Sequence, residues 1–351
     1  MAILLVKIPM NIPMNWQLFR ATEFSHYQDA WQQLNLSGPA SPLFNPLFIA
    51  PLLREFGTGK ELLAIYGKTN RPRAMAIITS KRRSLWETFN PPNAPLGLWI
   101  HTPDLKLEPL LSSLLQVLPG FPLAIDITGQ DPDLVPRPIE GRHLSTIDHF
   151  ESPRIVVQDK FETYWESRSK KFRQNLKWRR NRLQREGIAT RLEITTSSAD
   201  VLKAIEDYGR LESTGWKGKV GSAVHPDNVQ GRFYKSLLEG FCRHGKGYIY
   251  RYWFNDRVAA MDLNIESNDV LINLKTTYNE DFREFSPAMQ MHQELFKQVF
   301  DEGRIKKIEF YGKLMDWHTI WSDKTKILYH INYYRWPVIR CIRRLHQTLR
   351  A

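Results

Sequence analysis

The sequence has only two cysteines, Cys242 and Cys341, among its 351 residues. They are far apart and stand in no CxxC or Cys/His ligand spacing, which argues against a disulfide framework or a metal site and predicts a reducing, cytoplasmic location. No uncharged apolar run approaches the roughly 20 residues of a membrane-spanning helix. The apolar start is broken by Lys7, Pro9 and Pro13 and lacks the features of a signal peptide. We therefore predict a chain that does not span a membrane.

The sequence also has little excess charge outside two segments. Lysines and arginines number 49 against 37 acidic residues, which gives a net charge of +12. Residues 166–186 contain nine cations and two acids, and residues 334–351 contain five arginines and no acid, so these segments hold the whole excess. This distribution argues against a general polyanion-binding protein and predicts two local basic surfaces.

The C-terminal half has a clear order of predicted elements. Turn signals separate three runs of β-forming residues, at 248–254, 258–265 and 270–278, which predicts an antiparallel meander. Ser286 and Pro287 then predict a helix start, an N-cap followed by proline at the first helical position, and the apolar spacing ends at Gly303. Strands are also predicted at 306–311 and 327–334, and helices at 161–186, 199–211 and 228–244.

The N-terminal half repeats this order in a blurred form. Strands are predicted at 61–66, 74–80, 84–89, 96–100 and 123–127, and a helix at 107–117. We interpret this as a degenerate repeat. The predicted units are a degenerate N-terminal domain at 1–150, an acyl-transferring domain at 151–335 and a basic amphipathic helix at 336–351. The proline-rich stretch 131–152 is predicted to be the linker.

Several short motifs in series carry a resemblance to a known family. They are Ser169-Lys-Lys-Phe-Arg173, Asn175-Leu176, Arg179-Arg180, Glu212 with Gly215-Trp216-Lys217-Gly218, Phe233-Tyr234, Arg257-Val258-Ala259, Tyr278-Asn-Glu-Asp-Phe282, Ser286-Pro287, and Phe310-Tyr311-Gly312 before Trp317 and Trp321. Residues 150–335 thereby resemble the BioF2-like or CelD-like GNAT acyltransferases, bacterial enzymes linked to cellulose and exopolysaccharide synthesis and related to the FemAB aminoacyl transferases. The resemblance implies an α/β (α+β) fold of tandem GNAT-like domains, each a mixed, mostly antiparallel sheet flanked by helices.

The resemblance implies acyl-CoA as the co-substrate. The unpaired amides and partial positive charge of a helix N-terminus suit the CoA pyrophosphate, and the backbone of the preceding strand would pair with the pantetheine arm. The residues implied are Lys275, Thr276, Thr277, Ser286, Pro287, Ala288, Met289 and Gln290. The family usually has glycine where this chain has Ala288, whose methyl group would lie close to phosphate. The alternative is that Ser286 and Pro287 only begin a core helix.

Catalysis requires a base for the acceptor and often an acid for the leaving thiolate. The strand at 270–278, where many GNAT enzymes carry a carboxylate, has none. We predict Tyr278 or Tyr311 as the acid and Asp316 or His318 as the base. The family usually has Tyr-Lys near the position of Trp317-His318, and His318 can equally be a packed core imidazole.

The residues predicted to contact the acceptor are Arg168, Lys171, Arg173, Glu212, Trp216, Lys217 and Asp262. A solvated helical face is the alternative for the three cations before residue 180. Trp216 can instead be a core anchor, and Lys217 a charge at a helix C-terminus.

The leading hypothesis is an N- or O-acyltransferase acting on a small-molecule or saccharide acceptor of the cell envelope or of an exopolysaccharide. One alternative is a FemAB-like transferase that uses aminoacyl-tRNA and binds RNA phosphates through the basic helix. Another is a non-catalytic nucleic-acid-binding or envelope scaffold protein. The C-terminal helix can lie on the inner face of an anionic membrane, as a peripheral contact, or pack on the N-terminal domain.

Overall fold

The computed structural model describes residues 15–214 and 224–348. Its strands are β1 Trp16–Arg20, β2 Leu62–Lys68, β3 Arg71–Arg82, β4 Leu85–Thr88, β5 Trp99–His101, β6 Ala124–Gln130, β7 Leu144–Val156, β8 Thr190–Thr195, β9 Gly247–Phe254, β10 Arg257–Ser267, β11 Val270–Tyr278, β12 Lys307–Glu309 and β13 Lys324–Tyr334. Its α-helices are α1 Gln28–Ser37, α2 Pro46–Phe56, α3 Leu107–Val117, α4 Phe161–Glu166, α5 Lys170–Arg185, α6 Val201–Thr214, α7 Val229–Arg243, α8 Pro287–Glu302, α9 Asp316–Trp321 and α10 Pro337–Thr348.

All the described strands join in one sheet with the order β1-β2-β3-β4-β6-β13-β7-β12-β11-β10-β9-β8, and β5 pairs with β3 beside this path. The pairs β4–β6 and β11–β12 are parallel, and the other pairs are antiparallel. The result is a mixed, mostly antiparallel sheet flanked by helices, which confirms the predicted fold class.

The two halves of the sheet follow the same order. Each has a three-strand meander, then a helix, then a strand parallel to the last meander strand, as β2-β3-β4, α3 and β6 and as β9-β10-β11, α8 and β12. In each half, the strand that comes next in the chain pairs with the other half of the sheet. Strand β7 follows β6 in the chain but pairs with β12, and β13 follows β12 but pairs with β6. Since β7 and β13 also pair with each other, the halves form one continuous sheet.

Three hydrophobic cores hold the helices on the sheet. One core covers a face of both halves and includes residues of α1, α2, α6 and α7. On the opposite face, α3 packs on the N-terminal half, and α4, α5, α8 and α9 pack on the C-terminal half. Burial of these apolar side chains is the main force that fixes the helices around β11 and β12.

The predicted linker at 131–152 is wrong in its second part. Residues from Leu144 onward form β7, one of the central strands, and both Asp131 and Ser152 are buried. The predicted domain boundary at residue 150 therefore falls within a strand. The prolines of this stretch, Pro132, Pro136 and Pro138, all lie before β7 and so remove no hydrogen bond from that strand.

The single helix predicted at 161–186 is two helices. Ser169 interrupts the apolar stripe, and its side chain accepts a hydrogen bond from the amide of Phe172, so it caps a new helix, α5. The sequence interpretation missed β1, α1, α2 and β8. The meanders, α3, α6, α7 and α8 lie close to their predicted positions, and α8 ends at Gly303, whose φ is 63°.

Candidate active site

A wedge-shaped gap opens in the sheet between β11 and β12. The two strands pair over only three residues, from Val270 and Lys307 to Ile272 and Glu309. Strand β11 then continues to Tyr278, and within the described ranges no backbone hydrogen bond joins residues 273–278 to anything on the β12 side. We call this gap the C-terminal wedge. Its open strand edge offers amide and carbonyl groups to an extended ligand.

A bulge in β11 sets which side chains lie on each side of this edge. Asn273 pairs with Asn264, and Lys275 pairs with Leu263, so Leu274 is an extra residue in β11. As a result, Lys275 lies on the face of α6 and α7, whereas Asn273 lies on the face of α8. The bulge therefore places polar side chains on both faces beside the wedge.

On the α6 face, Lys275 forms an ion pair with Glu212. The Lys275 Nζ lies 3.2 Å from Glu212 Oε1, and the Glu212 side chain is 1% exposed. The other carboxylate oxygen, Oε2, accepts a hydrogen bond of 2.8 Å from the amide of Val224, and Tyr208 donates one of 3.3 Å to Oε1. The Lys275 ammonium also lies 5.5 Å from the ring centroid of Tyr234. The structure thus brings together Glu212, which was predicted to contact the acceptor, and Lys275, which was predicted to bind the cofactor.

On the α8 face, Asp262 and His292 form a buried pair, and both side chains are 1% exposed. The His292 Nε2 lies 2.9 Å from Asp262 Oδ2, which also accepts a hydrogen bond of 2.8 Å from Asn273. The Thr276 hydroxyl donates to the Asn273 side-chain oxygen at 3.2 Å. This chain of contacts links α8 through β10 to the strand that borders the C-terminal wedge.

The second ring nitrogen of His292, Nδ1, has no hydrogen-bond partner among the described residues. With the hydrogen on Nε2 directed to Asp262, the lone pair of the neutral imidazole is on Nδ1. The ring stacks between Phe296, at 5.2 Å, and the half-buried Trp317, at 5.8 Å. A buried imidazole oriented by a carboxylate is the usual arrangement of a general base. Sequence interpretation missed His292 because it fits the apolar stripe of its helix.

The start of α8 differs from the predicted N-cap. Ser286 has a φ of 50°, and its side chain caps no amide but accepts a hydrogen bond from Arg179 of α5. The amides of Met289 and Gln290 donate to the Ser286 carbonyl, and Pro287 has no N–H. Of the predicted group Ser286 to Gln290, this leaves the Ala288 amide without a backbone partner in the described residues. Arg179 adds a positive charge at the positive end of the helix, so an anion is favoured here.

The predicted base residues lie on or beside the short helix α9. Asp316 is exposed and begins the helix. The Nδ1 of His318 accepts a hydrogen bond of 3.0 Å from the amide of Met315, and burial, followed by the effect of His292, lowers the pKa of His318 to about 4. His318 is therefore neutral near neutral pH, and its only lone pair is used, which disfavours it as a base.

The two predicted acids lie in different places. Tyr278 is half-buried at the end of β11, on the α8 face. Tyr311 is buried at the seam between the halves, where its hydroxyl donates a hydrogen bond of 2.7 Å to Asp131. Burial, reinforced by the charges of Asp131 and Glu309, raises the pKa of Tyr311 well above its usual value. This geometry favours Tyr278 over Tyr311 as the acid that faces the wedge.

Tyr311 belongs to a buried charge cluster at the seam. The Lys326 Nζ lies 2.7 Å from Asp131 Oδ2, 2.8 Å from Glu309 Oε2 and 4.4 Å from the Tyr311 ring centroid. Burial raises the pKa of Glu309, and the charge of Lys326 opposes that rise. The cluster joins residues of β12, β13 and the end of β6, so removal of one partner would leave a buried charge unpaired at the junction of the two exchanged strands.

The predicted acceptor residues are only partly brought together. Glu212 and Asp262 lie on opposite faces beside the wedge, whereas Trp216 and Lys217 lie outside the described residues. Arg168 donates to the Trp321 carbonyl, and Arg173 donates to the Arg168 carbonyl at the junction of α4 and α5. Lys171 is exposed on α5. In the described ranges, no group of three or more His, Cys, Asp and Glu residues has the arrangement of a metal site.

Comparison with known families gives one match, which lies in the C-terminal half. The Acetyltransferase (GNAT) domain family matches residues 170–319, which include the wedge strands, α8 and His292. The protein is therefore an acyltransferase, and the part of it that resembles a GNAT domain is 150 of its 351 residues. No curated protein matches the sequence.

Solved structures share the fold of almost the whole chain. FemX aligns with a TM-score of 0.55 at 10% identity, over 86% of this chain and 95% of FemX. The C-terminal DUF2156 domain of a proposed lysylphosphatidylglycerol synthetase from Agrobacterium fabrum aligns with a TM-score of 0.54 at 11% identity, over 89% of this chain and 91% of that domain. At such low identities these likenesses show the fold alone.

Proposed function

We propose that the protein transfers an acyl group from acyl-CoA to an amine or hydroxyl of a cell-envelope or exopolysaccharide-related acceptor, as BioF2-like and CelD-like proteins are expected to do. The open C-terminal wedge is the observation that carries this proposal. It lies inside the region that matches the GNAT domain family, and its free strand edge ends near the start of α8.

In this proposal, the pantetheine arm pairs with the free backbone edge of Lys275, Thr276, Thr277 and Tyr278. The pyrophosphate lies at the start of α8, where the Ala288 amide and the Arg179 guanidinium both favour an anion. Thiol and phosphate ends of CoA are thus held by adjacent parts of the chain, the end of β11 and the start of α8.

His292 acts as the base in the proposed reaction. Its Nδ1 takes the proton from the acceptor amine or hydroxyl as that group attacks the thioester carbonyl, and Asp262 stabilises the resulting imidazolium. Collapse of the tetrahedral intermediate breaks the carbon–sulfur bond, and Tyr278 supplies a proton to the leaving thiolate. Because His292 and its Nδ1 are buried, the acceptor reaches this atom only after the side chains around it move.

The experiment measures thermal stabilisation of the full chain by acetyl-CoA, a longer acyl-CoA and bulk tRNA. A ligand at a hundred times its dissociation constant adds about 2.7 kcal/mol of stability, so binding raises the melting temperature measurably. If neither CoA ester raises it, the proposal is wrong.

Two substitutions at one position test the phosphate site. Ala288→Asp places a carboxylate against the pyrophosphate and should abolish the stabilisation, whereas Ala288→Gly removes a methyl group and should preserve or strengthen it. Gln293→Asp, further along the same helix, adds the same charge away from the helix start and is the control. Unchanged CoA binding by Ala288→Asp would place the phosphates elsewhere.

One observation favours the second candidate, transfer from aminoacyl-tRNA. Helix α5 exposes Lys170, Lys171, Lys177 and Arg185, none with an ion pair in the described residues, together with Trp178, which is 55% exposed. Cations interleaved with an exposed aromatic ring suit RNA. Stabilisation by tRNA that falls steeply with salt, in the absence of any CoA effect, would select this candidate.

A further inference from the structure

The C-terminal helix α10 is oriented opposite to the usual amphipathic helix. Arg340 and Arg343 contact the rest of the protein, whereas the apolar side chains of Val338 and Ile342 are exposed. Val338 is 58% and Ile342 51% exposed, and these residues lie one turn apart on the same side of the helix. A surface helix normally buries such a stripe against the core. The exposed stripe is therefore available to contact another molecule.

Ion pairs hold the helix in this orientation. Arg343 forms two hydrogen bonds with the carboxylate of Asp126, at 2.7 and 2.6 Å, and Asp126 is 3% exposed. Arg340 pairs with Glu140 and donates to the carbonyl of Gly141. Of the two placements predicted for this helix, packing on the N-terminal half is thus present, but it uses the charged face and leaves the apolar face free.

The exposed apolar surface extends beyond the helix. Trp336, just before α10, is 48% exposed and lies 5.7 Å from the ring of Phe121, which is 58% exposed. We call Phe121, Trp336, Val338 and Ile342 the α10 surface. Two aromatic rings beside aliphatic side chains are typical of segments at a membrane–water boundary.

Cations surround the α10 surface. The Arg335 guanidinium lies 4.6 Å from the Phe121 ring centroid. Arg83 and Arg142 are exposed and make no ion pair in the described residues, and they lie next to the segments that carry Phe121 and receive Arg340. Of the nearby acids, Asp126 and Glu140 are paired with α10 arginines, and Glu108, whose carboxylate lies beside Gly141, is exposed. A second copy of the chain would bring these cations against each other, whereas an anionic lipid surface attracts them.

We propose that the α10 surface docks the protein on an anionic lipid bilayer, with Val338, Ile342, Trp336 and Phe121 in the headgroup region. Arg340 and Arg343 do not contact lipid in this arrangement but hold the helix so that Val338 and Ile342 face outward. Docking needs no acyl-CoA and no unfolding of the helix. It is independent of the proposed acyl transfer, and it would hold the enzyme beside a membrane-linked acceptor.

The test is co-sedimentation of the full chain with vesicles. One set contains equal parts of phosphatidylglycerol and phosphatidylcholine, and the other contains phosphatidylcholine alone. Wild-type protein should bind the anionic vesicles at least about tenfold more strongly than the neutral ones, because charge and apolar burial act together. Ile342→Asp should reduce binding to the anionic vesicles by about tenfold or more.

Leu36→Asp is the matched control, because Leu36 on α1 is 53% exposed, close to the 51% of Ile342. It should bind vesicles as the wild type does. Both variants replace exposed side chains, so their melting temperatures and acetyl-CoA responses should match those of the wild type. Failure of the wild type to bind anionic vesicles, or undiminished binding by Ile342→Asp, would overturn the proposal. So would light scattering that shows a dimer which Ile342→Asp converts to a monomer, since the surface would then join two copies.

Discussion

The two halves of the sheet contain the same wedge, but only the C-terminal one is open. In the N-terminal half, β4 and β6 also pair in parallel over three residues and then diverge. There the gap is filled by the protein itself. The amide of Gly97 donates to the carbonyls of Thr128 and Gly129, at 3.1 and 3.3 Å, and the hydroxyls of Thr88 and Thr128 are 2.7 Å apart. We call the segment around Gly97 the plug.

The buried interfaces between helix and sheet differ in the same way. Under α3, the N-terminal half buries apolar side chains of β3 against leucines, including Ala74, Ala76, Leu111 and Leu114. Under α8, the C-terminal half instead buries Asp262, Asn264, Asn273 and His292. Buried polar groups cost stability unless they are paired, and the reaction proposed above uses the half that contains them. The N-terminal half has the same order of strands and helix, and it contributes β7 to the other half, but within the described residues it lacks this group of buried polar side chains under its helix.

The largest expected effect is on catalysis and concerns His292. His292→Gln keeps a donor for Asp262 but removes the proton acceptor, so turnover should fall by about a hundredfold or more while CoA binding is unchanged. The assay is release of free thiol from acetyl-CoA, with water in place of the acceptor. His244→Gln changes an exposed histidine and should have no effect. Turnover within about tenfold of wild type for His292→Gln would remove His292 from the mechanism.

The next effect is on stability and concerns the plug. A Cβ on Gly97 would clash with the Thr128 carbonyl and the Thr88 hydroxyl, and a backbone oxygen cannot move cheaply. Gly97→Ala should therefore lower the free energy of unfolding by about 3 kcal/mol. Gly312→Ala is the counterpart after β12, where the nearest atom lies 3.8 Å away, and should change it by less than about 0.5 kcal/mol. Denaturant titration measures both, and equal effects would mean that the gaps are equally filled.

The sequence predicted the C-terminal half better than the seam for physical reasons. Strands β9, β10 and β11 are neighbours in the chain and are separated by turns such as Asn255-Asp256, so local signals suffice. Pairing of β7 with β13 joins residues 170 to 189 positions apart, and nothing local in the stretch before β7 indicates it. His292 was missed because its helical spacing predicts only that the residue is buried. Its contact with Asp262, which the sequence does not reveal, explains why a polar side chain occupies this buried position.

A third prediction concerns acid stability. Burial lowers the pKa of His318 to about 4, below the 6.5 of the unfolded chain. Between these values the unfolded state binds the extra proton, so stability falls as the pH drops, by about 2 kcal/mol at about pH 5. His318→Asn, whose side-chain oxygen can accept from the Met315 amide, should flatten this loss. His26→Asn, at an exposed histidine, should not, and a parallel pH dependence for both variants would contradict the assignment.

His330 extends this test to the plugged half. Its Nδ1 accepts a hydrogen bond of 3.0 Å from the amide of Gly129, beside the plug, and burial lowers its pKa to about 4 as well. His330→Asn should therefore also flatten the acid loss. In this property the two halves are alike, since each holds a neutral histidine next to its wedge. A difference between the two variants would show that the two buried histidines contribute unequally to the loss of stability in acid.

The smallest expected effect concerns Arg179, which contacts the start of α8. The start of α3, the equivalent helix of the N-terminal half, lies in a different setting. Helix α3 starts 19 residues after β4 ends, beyond β5, whereas α8 starts nine residues after β11 and meets Arg179 at Ser286. Arg179→Ala should weaken CoA binding about fivefold, near 1 kcal/mol, because one of two groups that favour phosphate is lost. Lys177→Ala, exposed on the same helix, controls for net charge. Calorimetry in which both variants weaken equally would indicate a diffuse basic field, and only a selective loss in Arg179→Ala places the phosphates at the start of α8.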